Sequence, residues 1–247
     1  MFRQSVLAIA LGLLALTSTA AMAQPPAGQQ PRPLQNLQII PKDTPRAQVI
    51  QIMQSFTSAL GVRCEHCHVD EAGRTDFAAD DRRTKNIARA MMRMTEELNG
   101  KIPTVVGKSA GDAARMQCAT CHRGVAIPKL LTDIMTETMA ASGMPAAAVK
   151  YRELRKQYYG GQSYDFSEAA LAGLAQRANQ ANKPDDAIAL LQLNLEFNPQ
   201  SSRSYALLGA AYAAKNDSAT AIKDFEKALE IDPKNEQARQ QLERLKK

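Results

Sequence analysis

Tryptophan is absent from this 247-residue chain, and histidine occurs only three times. Aromatic residues together make up 5% of it. That argues for a helical core in which leucine, alanine, isoleucine and methionine do most of the packing. The alternating runs that mark β-strands are missing as well, so the expected fold class is all-α. Charge of one sign is modest: 31 basic residues face 25 acidic ones, a formal +6. The basic residues are scattered and never interleaved with aromatics, which argues against a nucleic-acid partner. With so few histidines, acid–base catalysis has little to draw on.

Long apolar runs are equally scarce after the first 23 residues. Before that point, Arg3 supplies a positive start, Val6 to Leu16 is almost wholly apolar, and Ala21-Met22-Ala23 offers small residues for cleavage. That run is shorter than the roughly 20 residues a spanning helix requires, so residues 1–23 read as a secretory signal peptide. The mature chain is expected to begin near Gln24, in a bacterial periplasm, with any membrane association made through partners. Loss of Arg3 lowers the formal charge by one. Residues 24–42 open with a Pro/Gln/Gly-rich stretch and read as a flexible leader.

There are four cysteines, and each lies in a CxxC pair. Paired cysteines in an exported protein suggest disulfides first. Here, however, histidine follows each pair: Cys64-Glu65-His66-Cys67-His68 and Cys118-Ala119-Thr120-Cys121-His122. Two thiols at this spacing can add across the two vinyl groups of one haem, and the tight loop then presents the next imidazole to the iron. Cys64, Cys67, Cys118 and Cys121 are thus expected to attach two haem c groups, with His68 and His122 as proximal ligands. A four-cysteine zinc site would leave both histidines unexplained. A thioredoxin-like pair would require a βαβ setting that is not found. His66 lies inside its own attachment loop and reads as a surface or propionate-contacting imidazole.

No histidine is left to complete either iron within the chain, so the distal ligands fall to methionine, or one position stays open. Thr44 to Leu60 reads as a helix, with Thr44 as N-cap, Pro45 in the first turn and Gly61 past the end. Val49, Met53, Phe56 and Leu60 share one face of it. A second helix is expected from about Asp81 to Asn99, closing at Gly100, with Ile87, Met91, Met94 and Leu98 on its apolar face. At a constant offset Val49, Met53 and Leu60 superpose on Ile87, Met91 and Leu98, so helix followed by CxxCH is an internal repeat. Met53 and Met91 are the expected distal ligands, with Met94 the alternative to Met91. Met92 lies off that face, and Met116 is too near Cys118 to cross the ring.

These stretches resemble the cytochrome c subunit of bacterial photosynthetic reaction centres. The likeness is carried by Ile52-Met53-Gln54-Ser55-Phe56, Leu60-Gly61-Val62, Met91-Met92-Arg93-Met94-Thr95 and Cys118 to Gly124, over roughly residues 36–130. The resemblance implies a methionine-bearing helix ahead of each CxxCH and Met/His ligation, with Met53 and Met91 at the matching positions. The family's well-known members hold four haems, one of them ligated by a distant histidine. This chain has two motifs, no such histidine, and a C-terminal extension.

The dihaem domain is expected over 43–130, with a polar loop at Asp70 to Asp80. A helical connector follows over 131–166, broken near Gly143-Met144-Pro145 and ended by Gly160-Gly161. From about Ser167 the pattern has the 34-residue tetratricopeptide period. Leu171, Leu174, Ala175, Ala187 and Pro199 recur as Tyr205, Leu208, Gly209, Ala221 and Pro233, and Asn235 to Lys247 reads as a capping helix. Residues 167–247 are therefore a repeat domain, of the kind that docks proteins. The function expected of the whole is a periplasmic electron carrier serving redox partners, not an enzyme. The competing reading is a peroxidase-like or nitrogen-oxide-reductase-like enzyme with one open haem. A third is an assembly scaffold in which the repeats dominate.

Overall fold

The computed structural model describes residues 33–246 apart from Ala72; the expected signal peptide and most of the leader lie outside that range. Helix α1 (Arg46–Leu60) is the first regular element among the described residues. Its start differs from the sequence expectation. Pro45 is the flanking residue with extended φ/ψ, and Thr44 is engaged in a turn to the Pro41 carbonyl. The first intrahelical bond runs from the Val49 N–H to the Pro45 carbonyl, so the helix begins one residue later than expected and Thr44 stays outside it, in the preceding turn. The far end is as expected: Gly61 takes φ 64°, and its N–H and that of Val62 both reach the Thr57 carbonyl.

A single 3-10 turn at Cys64–His66 carries the first CxxCH motif. The polar stretch after it is not all loop. Val69–Glu71 (β1) pairs antiparallel with Arg74–Asp76 (β2) across a turn holding Gly73 at φ 77°. Helix α2 (Arg83–Val106) overruns the expected stop at Gly100. A glycine inside a helix costs only about 1 kcal/mol; the left-handed residue that ends α2 is Gly107, at φ 65°. The short helix α3 (Cys118–His122) holds the second motif.

Helix α4 (Leu131–Tyr158) is interrupted at Gly143, whose φ 80° and ψ 171° are non-helical, immediately before Pro145. Helices α5 (Glu168–Gln180), α6 (Pro184–Phe197), α7 (Ser202–Ala214), α8 (Ser218–Ile231) and α9 (Glu236–Leu245) follow as antiparallel hairpins. Their starts are well specified. Pro184 occupies the first turn of α6, while Ser201, Asp217 and Asn235 accept from the backbone N–H groups of Ser204, Thr220 and Ala238. Asn182 and Asn216 turn the chain at equivalent repeat positions with φ 55° and 62°, a conformation asparagine tolerates. At Gly209 a Cβ would lie 2.7 Å from the fully buried Phe225 ring, so the α7–α8 crossing depends on its absence.

Apolar burial is unequal along the chain. From Leu131 onward one core joins α4 to α5, α6 and α7 around Met135, Tyr151, Leu171 and Leu191, and a second joins α7, α8 and α9 around Phe225. Between Asn36 and Leu130 the buried apolar residues are few: Ile40, Val49, Ala59, Ala113 and Val125. Most of the large exposed apolar side chains belong to that same stretch.

Candidate functional site

The two CxxCH motifs close their loops differently. At the first, Cys67 and His68 both donate backbone N–H groups to the Cys64 carbonyl, at 3.2 and 3.0 Å. At the second, the Gln117 N–H reaches the Thr120 hydroxyl at 3.0 Å, and Arg123 leaves the helix at φ 49°. Asn99 ties this motif to α2 by a two-way clamp, donating to the Met116 carbonyl at 3.0 Å and accepting from its N–H at 2.7 Å.

The motifs are also joined through backbone. The Gly124 N–H donates to the Ala59 carbonyl at 2.8 Å, at the end of α1. A Cβ on Gly61 would stand 2.0 Å from the Gly124 oxygen, so only glycine lets the two segments meet.

Each imidazole has a setting in which it could serve as a metal ligand. His122 Nδ1 lies 3.1 Å from the Val125 carbonyl, an acceptor that places the proton on Nδ1 and leaves the lone pair on Nε2. His68 has its Nδ1 buried without a partner, and its ring meets that of Phe77 at 5.0 Å, edge-on. Burial, then the nearby Lys85 and Arg89 charges, pull its pKa down, against a weaker opposing effect of Asp76. The neutral imidazole this favours is the form that coordinates metals. All four cysteines are free thiols. Burial pushes the Cys67 and Cys118 thiols up from their ordinary value. Among the described residues no three His, Cys, Asp or Glu side chains converge as a metal-holding group, so the two pairs stay separate.

Met53 is half-buried on α1. On α2 the row Ile87, Met91, Met94 and Leu98 faces outward, with Met91 36% and Ile87 49% exposed, and Phe77 is 60% exposed. Apolar rows bearing thioethers, on the helices that precede two thiol–imidazole loops, fit a flat apolar macrocycle whose iron, with imidazole on one face, would take a thioether on the other. A cleft of about 1100 Å³ opens beside Cys118, between Ile52 and Phe56 of α1 and Met92, Thr95 and Asn99 of α2. Met92, which the helical phase sets off the apolar row, is thus the methionine on that cleft. Met116 is held by Asn99, as described, next to its own cysteine. His66 is exposed, and its carbonyl accepts from the Thr84 hydroxyl.

Several groups at the site had no sequence signal. Lys85 and Arg89 lie among scattered basic residues with no pattern to single them out, yet they are buried around Asp80. The bond from the Ser163 hydroxyl to the Arg123 carbonyl, 2.6 Å, pins the α4–α5 connection onto the second motif across forty residues.

Comparison with known proteins places these features. The family described as photosynthetic reaction centre cytochrome c subunit matches residues 14–197, and tetratricopeptide repeat matches residues 202–235. The photosynthetic reaction center cytochrome c subunit of Rubrivivax gelatinosus is 31% identical over 44% of this chain and 33% of its own length. Cytochrome c-554 of Chloroflexus aurantiacus is 36% identical over 31% of this chain and 17% of its own. The chain therefore spans a third or less of the curated relatives it matches. Among solved structures, the first TPR domain of human RPAP3 is 20% identical, with a TM-score of 0.34, over 47% of this chain and 87% of that one.

Proposed function

Because the chain belongs to the photosynthetic reaction centre cytochrome c subunit family, we propose that it is an exported dihaem electron carrier whose repeats dock protein partners. Covalent haem c and electron transfer come with the family, and protein interaction with the repeats. The finer reading is that Cys64 and Cys67 hold one haem and Cys118 and Cys121 another, within a domain spanning 43–130. His68 and His122 ligate the irons on one side. Met53 and Met91 do so on the other, with Met94 the alternative to Met91. The connector over 131–166 joins this domain to the repeats over 167–247.

The observation that carries this reading is the contrast in burial. Residues beyond Leu131 close their own core, while α2 holds Ile87, Met91, Met94 and Leu98 on an open face beside two thiol–imidazole loops. Haem c supplies a one-electron couple at each site. The chain's part is to hold the macrocycle by two thioethers, orient the imidazole through the Val125 carbonyl at His122, and cover the other face with a thioether. A methionine in that position raises the potential and leaves no open coordination site for a substrate. Among the described residues no helix is long and apolar enough to cross a membrane. Export by residues 1–23 and delivery to a periplasm complete the proposal, with redox proteins as donor and acceptor.

Visible spectra of the reduced protein before and after carbon monoxide test it. Two closed haems leave the spectrum unchanged. A change in about half of the absorbance means one open iron, and the enzyme reading then replaces the carrier.

A further inference from the structure

Lys85 and Arg89, one turn apart on α2, are the two charged side chains buried among the described residues, at 9% and 8% exposure. Lys85 Nζ donates to the carbonyls of Phe77, Ala78 and Ala79 at 3.0, 3.1 and 2.6 Å. It also pairs with Asp80 at 3.1 Å. Arg89 reaches the same carboxylate at 2.8 Å, and the Asn36 carbonyl at 3.3 Å. The loop they hold delivers Phe77 edge-on to His68.

Two cations thus share Asp80, whose side chain is 39% exposed and also accepts from Asn36. The other acid facing this group, Asp76, is exposed and already accepts the N–H groups of Ala78 and Ala79. Charges inside the protein act with less screening than those in contact with water, so the buried cations outweigh the two solvated carboxylates at His68. No buried charged side chain lies beside His122. We propose that Lys85 and Arg89 make the haem attached at Cys64 and Cys67 the higher-potential member of the pair. The inference rests on the dihaem reading above. Taking up one electron removes one unit of positive charge from the iron, so a fixed cation nearby favours the reduced form.

The test is a spectroelectrochemical titration of the mature holoprotein carrying Lys85→Gln, Lys85→Arg or Asp80→Asn. Lys85→Gln is expected to lower the higher midpoint, so that at the wild-type midpoint the reduced-to-oxidised ratio of that haem falls about threefold or more. A tenfold fall corresponds to about 59 mV for one electron. Asp80→Asn raises the same midpoint, Lys85→Arg leaves it near wild type, and the lower midpoint stays in place. Met53→His identifies the wave, because exchanging thioether for imidazole lowers the potential of the first haem. The proposal is overturned if Lys85→Gln shifts the lower wave, both equally or neither, in protein that keeps both haems. It is also overturned if Lys85→Arg acts like Lys85→Gln, since packing and not charge would then be responsible. A haem assay giving fewer than two haems per wild-type chain defeats the dihaem reading itself.

Discussion

Replacing Gly61 by alanine perturbs the point where the two CxxCH segments meet. Two costs combine there. The residue sits at φ 64°, a left-handed conformation that costs an ordinary L-residue about 1–2 kcal/mol. The added Cβ would also stand 2.0 Å from the Gly124 oxygen and 2.8 Å from its carbonyl carbon, both backbone atoms with no rotamer to yield. Relief requires the segments to part, which sacrifices the 2.8 Å bond from the Gly124 N–H to the Ala59 carbonyl. Such a bond contributes about 0.5–1.5 kcal/mol. Gly61→Ala is therefore expected to destabilise the protein by about 1.5–3.5 kcal/mol. Gly73→Ala is the internal control: its φ is 77°, but nothing lies within 4 Å of the added Cβ, so about 1–2 kcal/mol is expected. Urea unfolding followed by circular dichroism reads both. Equal losses in the two variants would refute the argument, because the close approach to Gly124 would then contribute nothing.

Three further perturbations follow from the same structure. Asn99→Ala removes both arms of the clamp on Met116; a loss of about 1–3 kcal/mol is expected, with the spectrum of the second haem disturbed more than that of the first, as resolved by redox titration. Gly209→Ala presses a methyl into the buried Phe225 ring and is expected to cost about 1–3 kcal/mol, measured as a lowered midpoint of urea unfolding. Asp224 has a buried, unpartnered carboxylate oxygen, and burial followed by the Asp217 charge lifts its pKa from 3.8 to about 6. Because the folded value lies above the unfolded one, the fold is favoured below pH 4 and loses that advantage as pH rises through 6. Asp224→Asn should thus exceed wild type in stability at pH 8 by about 1–2 kcal/mol, partial solvation keeping this below the full linkage value. Denaturation at pH 8 and pH 3.5 checks it, the difference vanishing at the lower pH.

The helical class and the repeats were legible in the sequence because both rest on periodicity. Leu171, Leu174 and Ala187 recur as Tyr205, Leu208 and Ala221, and those positions lie at the contacts between adjacent helices. The CxxCH spacing is likewise local chemistry: two thiols and an imidazole within five residues define what they can hold wherever the loop is placed. Helix ends were read less well. Thr44 belongs to the turn on the Pro41 carbonyl, one residue ahead of the helix flank at Pro45, and Gly100 did not stop α2, because a stop requires the left-handed turn that the chain makes at Gly107.

What the sequence determined by itself was therefore composition, period and motif: an all-helical chain, two thiol–imidazole loops, apolar faces bearing methionine, and a repeat at the end. The tertiary structure alone decided which distant groups meet. It set Gly61 against Gly124, clamped Met116 to Asn99, fixed Ser163 on Arg123 and buried Lys85 and Arg89 beside His68. Each of these joins residues by backbone approach or by a side chain reaching a carbonyl, and neither leaves a periodic trace along the chain. A lysine at an exposed and at a buried position is the same letter; only the fold determines how far water screens its charge.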